Sequence, residues 1–252
     1  MTGETSTLAH AKSWRGEAKR VIAFVRRPIL PEKAAGISRA SLAAVWRLYL
    51  LDIALMAVLL AIAGAVLMSG FEFPENEIAG LTLSPRVLAL IVLLAPLIEE
   101  IGFRSWLSGR PGHVLAAAFL AFALFGLPLV FGDGGSLWFA VSFFGAMVLA
   151  LGTLYALRKR GQMPWFARAF PLFFAAATIS FALIHLFNYQ EGTLAVLLPL
   201  VLPQLIAGTI FGYARVTYGL WASIVLHMLH NGTAIGLVLL ATSAAETAPI
   251  AG

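Results

Sequence analysis

The chain has no cysteine among its 252 residues, which excludes thiol catalysis, disulfide staples and cysteine-ligated metal. It leaves the redox compartment open. Charge is scarce as well: 12% of the residues are Asp, Glu, Lys or Arg, where a soluble domain carries roughly 25%. Only two aspartates occur, Asp52 near the start of the first apolar run and Asp133 in a connection, so a pair of intramembrane aspartates is missing and aspartyl intramembrane proteolysis is disfavoured. No His-Glu-x-x-His helix of the zinc-protease type is present. The glycine-rich turn Gly132–Gly135 lacks the preceding strand and the lysine of a phosphate loop. No internal repeat is visible. No short apolar core with a small-residue cleavage site precedes the first long apolar run, so a cleavable signal peptide is not expected.

What remains is apolar. Hydrophobic residues make up 60% of the chain, with a mean hydropathy of +0.90. Several runs reach the ~20 residues needed to cross a bilayer. The expected fold is all-α, a polytopic transmembrane helical bundle of about seven spans, near 48–70, 86–108, 112–131, 136–157, 169–188, 193–213 and 218–240. Residues 1–47 read as a basic cytoplasmic segment, 48–240 as the membrane domain and 241–252 as a short tail.

The net charge of +5 suggests nucleic acid only until the charges are placed. Nine basic residues, from Lys12 to Arg47, precede the first span and suit an anionic lipid surface, so no nucleic-acid partner is expected. Trp14, Ala18, Val21, Ile22 and Val25 fall on one side of a helix, with Arg15, Lys19 and Arg20 elsewhere, the pattern of an interfacial amphipathic helix. Basic connections (Arg110; Arg158 to Arg168; Arg215) alternate with acidic ones (Glu72, Glu75 and Glu77; Asp133; Glu191). Arg86 is the exception. By the positive-inside rule the N-terminus is cytoplasmic and the C-terminus is outside.

Two adjacent carboxylates, Glu99 and Glu100, lie inside the second run. Ionisable groups in hydrocarbon are costly and read as functional, with their partners to be named. Arg104 follows Glu100 by one helical turn and can neutralise it. Glu99 projects about 100° away and is left over. Later spans supply His185, in Phe181-x-x-x-His185, and His227 with Asn231, which share a helix face. His230 competes with His227 but falls off the Asn231 face, and its loss is expected to be nearly silent. A carboxylate base and two imidazoles are parts for activating water or binding a metal. Pro96, Pro199 and Pro203 lie within spans and are expected to kink them toward a packed or wet interior.

Glu99-Glu100-x-x-x-Arg104, Phe181-x-x-x-His185 and His227-x-x-x-Asn231, in this order and each in an apolar span, resemble the three motifs of the CAAX-protease and bacteriocin-processing (CPBP) family of intramembrane proteases. The resemblance covers about Leu88 to Leu240. It implies an endopeptidase that hydrolyses a peptide bond of a membrane-associated protein or peptide in the lipid bilayer. Glu99 would activate water with His185 assisting, His227 and Asn231 would hold the oxyanion, and Glu100, Arg104 and Phe181 would support the geometry. Glu99, His185 and His227 match a hydrolytic zinc set by type, and a glutamate-activated water without metal is the other arrangement. The location implied is a multi-pass protein of the bacterial inner membrane; the oligomeric state is unreadable. The competing class is an inactive membrane scaffold, an immunity factor or a transporter, since buried Glu and His also build proton relays.

One departure from the family pattern concerns depth. Two spans, 112–131 and 136–157, stand between the first and second motifs. Counted from their cytoplasmic ends, Glu99 and His227 lie about nine residues in, ~13 Å at 1.5 Å per residue. His185 counts out roughly 7–10 Å deeper, a gap that helix tilt or a later start of its helix must absorb.

Overall fold

The computed structural model describes residues 11, 13–132 and 136–247, in which the only extended pairing is an isolated bridge between Asn76 and Tyr189. Asp133, Gly134 and Gly135 of the expected glycine turn, Lys12, the first ten residues and the end of the tail from residue 248 lie outside the described residues.

Local chemistry marks where the helices begin. The hydroxyls of Ser13, Ser38, Ser84 and Ser136 each accept a backbone N–H of the first turn of α1 (Trp14–Arg26), α2 (Arg39–Met68), α3 (Pro85–Ala89) and α7 (Leu137–Ala156). Pro111 and Pro164 open α5 (Pro111–Ala121) and α8 (Pro164–Arg168), where a missing N–H costs nothing. Two further prolines widen helices. A π-turn, Leu90–Leu94, joins α3 to α4 (Ala95–Arg104), and another, Phe122–Gly126, joins α5 to α6 (Leu127–Phe131). Each stands just ahead of a proline at the second position of the next helix, Pro96 and Pro128, whose ring would collide with the carbonyl four residues back in a regular turn. Beyond these come α9 (Phe170–Ile184), α10 (Leu194–Leu200), α11 (Leu202–Thr217) and α12 (Leu220–Thr247).

Among the described residues, five helical stretches are long and apolar enough to cross a membrane: Arg39–Met68, Pro111–Phe131, Leu137–Ala156, Phe170–Asn188 and Leu220–Ser243. The pair α10 and α11, bent by 42° at Val201 between Pro199 and Pro203, makes a sixth. The expected seventh, 86–108, is helical from Pro85 to Ser108 but is less apolar than the others, because Arg86, Glu99, Glu100 and Arg104 crowd it with charge. The first span's helix begins at Arg39 and the last runs on to Thr247, so both reach past the expected edges. Outward faces are broadly apolar, as in Leu60, Ile62, Phe144 and Leu151, which lipid tolerates and water does not.

Helix α1 docks on the bundle by a different edge from the expected one. Glu17 and Val21 are buried, Phe24 packs beside them, and Trp14, Ile22 and Val25 face outward. Two neighbouring stripes run along this helix. The 17/21/24 stripe meets protein because Glu17 accepts hydrogen bonds from Tyr213 (3.1 Å) and Tyr218 (2.7 Å), leaving the 14/22/25 stripe for the membrane surface. Around this contact Ala44, Val45 and Leu48 of α2, Ile210 and Phe211 of α11, and Leu226 of α12 form one core. A second core, with Leu30, Leu107, Phe166, Phe170, Phe174 and Val216, closes the end of the bundle that carries the basic connections. The hairpin inserted between the first two motifs packs through Ala123 of the π-turn and Leu127 of α6 against Ala146 of α7, and lines no part of the cavity described next.

Candidate active site

Helices α4, α9, α11 and α12 enclose a cavity of about 550 Å³, and Glu99, His185, His227 and Asn231 all line it. Its floor is a buried ionic layer. Glu100, fully buried, pairs with Arg104 one turn on, as the spacing requires, and receives His227 Nδ1 at 2.9 Å. Since Arg104 faces the same carboxylate, Glu100 is the acceptor and His227 Nδ1 carries the hydrogen. The Arg104 guanidinium lies 4.1 Å from the centre of the Phe181 ring, and its second arm reaches Gly208 O at 3.5 Å. Position 208 must be glycine for this approach: a Cβ there would stand 2.8 Å from Phe181 Cδ1 and 3.2 Å from Arg104 Nη2. Beneath, Arg215 donates to Arg104 O (2.9 Å) and Ser105 O (2.8 Å), capping the end of α4.

Glu99 stands apart from this layer, as its position on the helix dictates. Its side chain is 29% exposed, and Oε2 lies 3.8 Å from His227 Nε2, too far for a hydrogen bond. That oxygen is buried with no hydrogen-bond partner in the protein, as is Oε1 of Gln204, which lines the same cavity. His227 thus sits between the two glutamates, fixed by one and facing the other. The depth gap expected for His185 closes at Phe181, whose ring meets both His185 (5.0 Å between centroids) and His227 (5.6 Å) edge-on. Helix α9 ends at Ile184, and the tighter turn His185–Asn188 swings His185 over the cavity, with Nδ1 2.7 Å from Phe181 O.

Asn231 does something the sequence did not announce. In the π-turn the Ala95 N–H bonds Leu90 O, and Pro96 has no N–H to offer, so Ile91 O is stranded. Asn231 Nδ2 donates to it at 2.9 Å. One amide hydrogen is therefore used to fix α3 and α4 against α12, and the other remains for the cavity.

Two more residues belong here. His230 lines the cavity, and its Nδ1 meets Asp52 Oδ2 at 2.7 Å. His230, expected to lie off the site, finds this partner because of the length of α2: that helix starts at Arg39, so Asp52 lies well inside it, fully buried and opposite α12. An intramembrane aspartate needs a partner, and His230 was the histidine left without a role; that was the available signal. Phe211 is the other, stacked on His227 (4.9 Å) and edge-on to His230 (5.7 Å).

For a metal, the fit is poor. Among the described residues no three or more His, Asp or Glu side chains are grouped so as to hold an ion, and Glu99, His185 and His227 are not arranged as a ligand set.

Residues 160–233 match the family model described as Type II CAAX prenyl endopeptidase Rce1-like. No curated protein and no solved structure matches the chain. The matched stretch contains Phe181, His185, His227 and Asn231, and the fold brings Glu99, Glu100 and Arg104 to them from outside it. All three motifs converge on one intramembrane cavity, and over residues 160–233 this integral membrane protein is similar to the type II CAAX prenyl endopeptidases.

Proposed function

We propose that this protein is an intramembrane endopeptidase that cleaves a membrane-associated protein or peptide with a water activated by Glu99. The observation that carries the reading is the division between the two glutamates. Glu100 is neutralised by Arg104 and fixes His227, whereas Glu99, at the cavity wall, has no such partner. Glu99 takes a proton from water as the oxygen attacks the carbonyl, and His185, which presents Nε2 once Nδ1 is held by Phe181 O, helps to place that water. The oxyanion is met by the free Asn231 N–H and, when His227 is protonated, by its Nε2–H, with the ring held in place by Glu100. No step is routed through a metal.

The cavity also suggests where substrate enters. Its upper wall is built by Asn76, Ile78, Leu81, Leu83, Asn188 and Val238, at the end of the bundle bearing Glu75, Glu77 and Glu191. The opposite, basic end is filled by the Phe166, Phe170 and Phe174 core. With the N-terminus cytoplasmic in a bacterial inner membrane, substrate reaches Glu99 from the non-cytoplasmic end. The test is incubation of purified protein, with and without chelator, with prenylated CAAX-type, leader-type and membrane-tail peptides, cleavage being read by mass spectrometry. Cleavage that survives chelation supports a glutamate-activated water. The absence of any product across the panel, with substrate or proton flux in proteoliposomes, would turn the reading to transport.

A further inference from the structure

The mechanism above leaves one proton unassigned: when the peptide C–N bond breaks, the departing amine must receive one. We propose that His230, oriented by Asp52, is the acid that supplies it, an inference that rests on the hydrolytic reading of the cavity.

Two carboxylate–imidazole pairs open onto the same space. Glu100 holds His227 by Nδ1 at 2.9 Å, and Asp52 holds His230 by Nδ1 at 2.7 Å. In both the carboxylate is fully buried, the histidine lines the cavity, and Nδ1 is engaged, which leaves Nε2 for a reacting group. Phe211 fills the space between the two rings and sets their spacing. The pair is not needed to hold the helices together. One turn away Tyr49 Oη and Thr233 Oγ1 make a 2.7 Å hydrogen bond, and the cluster of Val45, Leu48 and Leu226 already joins α2 to α12. Asp52, moreover, is a whole charge inside a long apolar helix whose ion-pair partner among the described residues is His230. A buried carboxylate with one imidazole beside it is balanced when that imidazole is protonated, and a protonated His230 has an Nε2–H to give.

The balance is as follows. The water oxygen bonds to the carbonyl carbon while one water proton passes to Glu99. The C–N bond then breaks as Nε2–H of His230 passes to the amine nitrogen, and the carbonyl re-forms as a carboxylic acid. His230 is left neutral, with Nδ1–H still on Asp52, and recovers a proton from Glu99 through the cavity. The titratable groups facing this exchange are Asp52 on α2, Glu99 and Glu100 on α4, His185 beyond α9 and His227 on α12.

The test separates leaving-group protonation from packing. A lipidated peptide is prepared with a reporter joined through the scissile amide, and a second with a thioester at that bond, whose thiolate leaves without a proton. In full-length protein His230→Gln should lower kcat on the amide by about 10²-fold or more with KM within a few-fold, and should cut the thioester within a few-fold of wild type. Asp52→Asn, which keeps a side chain of the same shape, should show the same selectivity, and reads the outcome if His230→Gln does not fold. Tyr49→Phe, which removes only the neighbouring tie, should hydrolyse both as wild type does. Equal loss on amide and thioester, or no loss on either, would overturn the assignment. A wild-type protein that cuts neither substrate would instead remove the hydrolytic reading itself.

Discussion

Replacing Arg104 by alanine should damage the fold far more than replacing Glu99 does. Arg104 is 1% exposed and Glu100 fully buried, so the substitution leaves an unpaired carboxylate in a dry layer. Stranding one partner of such a pair costs roughly 3–5 kcal/mol. Loss of the guanidinium from the face of Phe181, 4.1 Å away, adds about 0.5–2 kcal/mol. Glu99 by contrast is 29% exposed, and its nearest opposite charge, His227 Nε2, is 3.8 Å off, so Glu99→Ala should change stability by no more than about 1 kcal/mol. Equilibrium unfolding in mixed detergent, followed by tryptophan fluorescence, compares the two directly. Glu100→Gln with Arg104→Gln, which removes both charges, should recover part of the loss, because neither side is then stranded. Equal stability of Arg104→Ala and Glu99→Ala would show that the pair is hydrated and that the glutamates do not divide their work as argued.

Gly208→Ala should destabilise by about 1–3 kcal/mol and reduce activity, since the added methyl meets Phe181 at 2.8 Å and displaces the ring under Arg104; thermal melts and turnover of the purified variant report both. Asn231→Ala should cost about 1–3 kcal/mol by stranding Ile91 O, and adding Pro96→Ala should return part of that stability, because residue 96 regains an N–H. A double-mutant cycle of unfolding energies that came out additive would refute the link between the proline and the asparagine. The absence of cysteine makes topology directly measurable: Glu75→Cys should react with an impermeant thiol reagent added to intact cells and Arg160→Cys should not, and the reverse pattern would move the cavity mouth to the cytoplasm.

Much of this was readable from residues. Glu100 and Arg104 announced their pairing by spacing alone, and Glu99 its isolation, because a helix turns 100° per residue whatever surrounds it. The apolar runs gave the bundle for a similar reason: a bilayer leaves the backbone little choice but helix. Contacts between distant segments were another matter. His185 counted out too deep for the other motifs, whereas the Phe181 ring, edge-on to both His185 and His227, joins it to the same cavity. Asp52 and His230 lie far apart in the chain, and no local period connects them. The resemblance makes Asn231 an oxyanion donor, and its spacing places it on the His227 face. Its bond to Ile91 O depends on a π-turn that arises from a proline on another helix. Glu17 is buried by two tyrosines that no helical wheel of residues 14–26 contains.

Glu99→Gln tests the central claim most directly, since it keeps the shape of the side chain and removes only the base. On a peptide that the wild-type protein cleaves, product should fall by 10²–10⁴-fold, to the limit of detection by mass spectrometry, in a protein whose unfolding curve matches wild type. Cleavage at an undiminished rate by Glu99→Gln would contradict the account, because Glu99 is the only carboxylate among the described residues that lines the cavity.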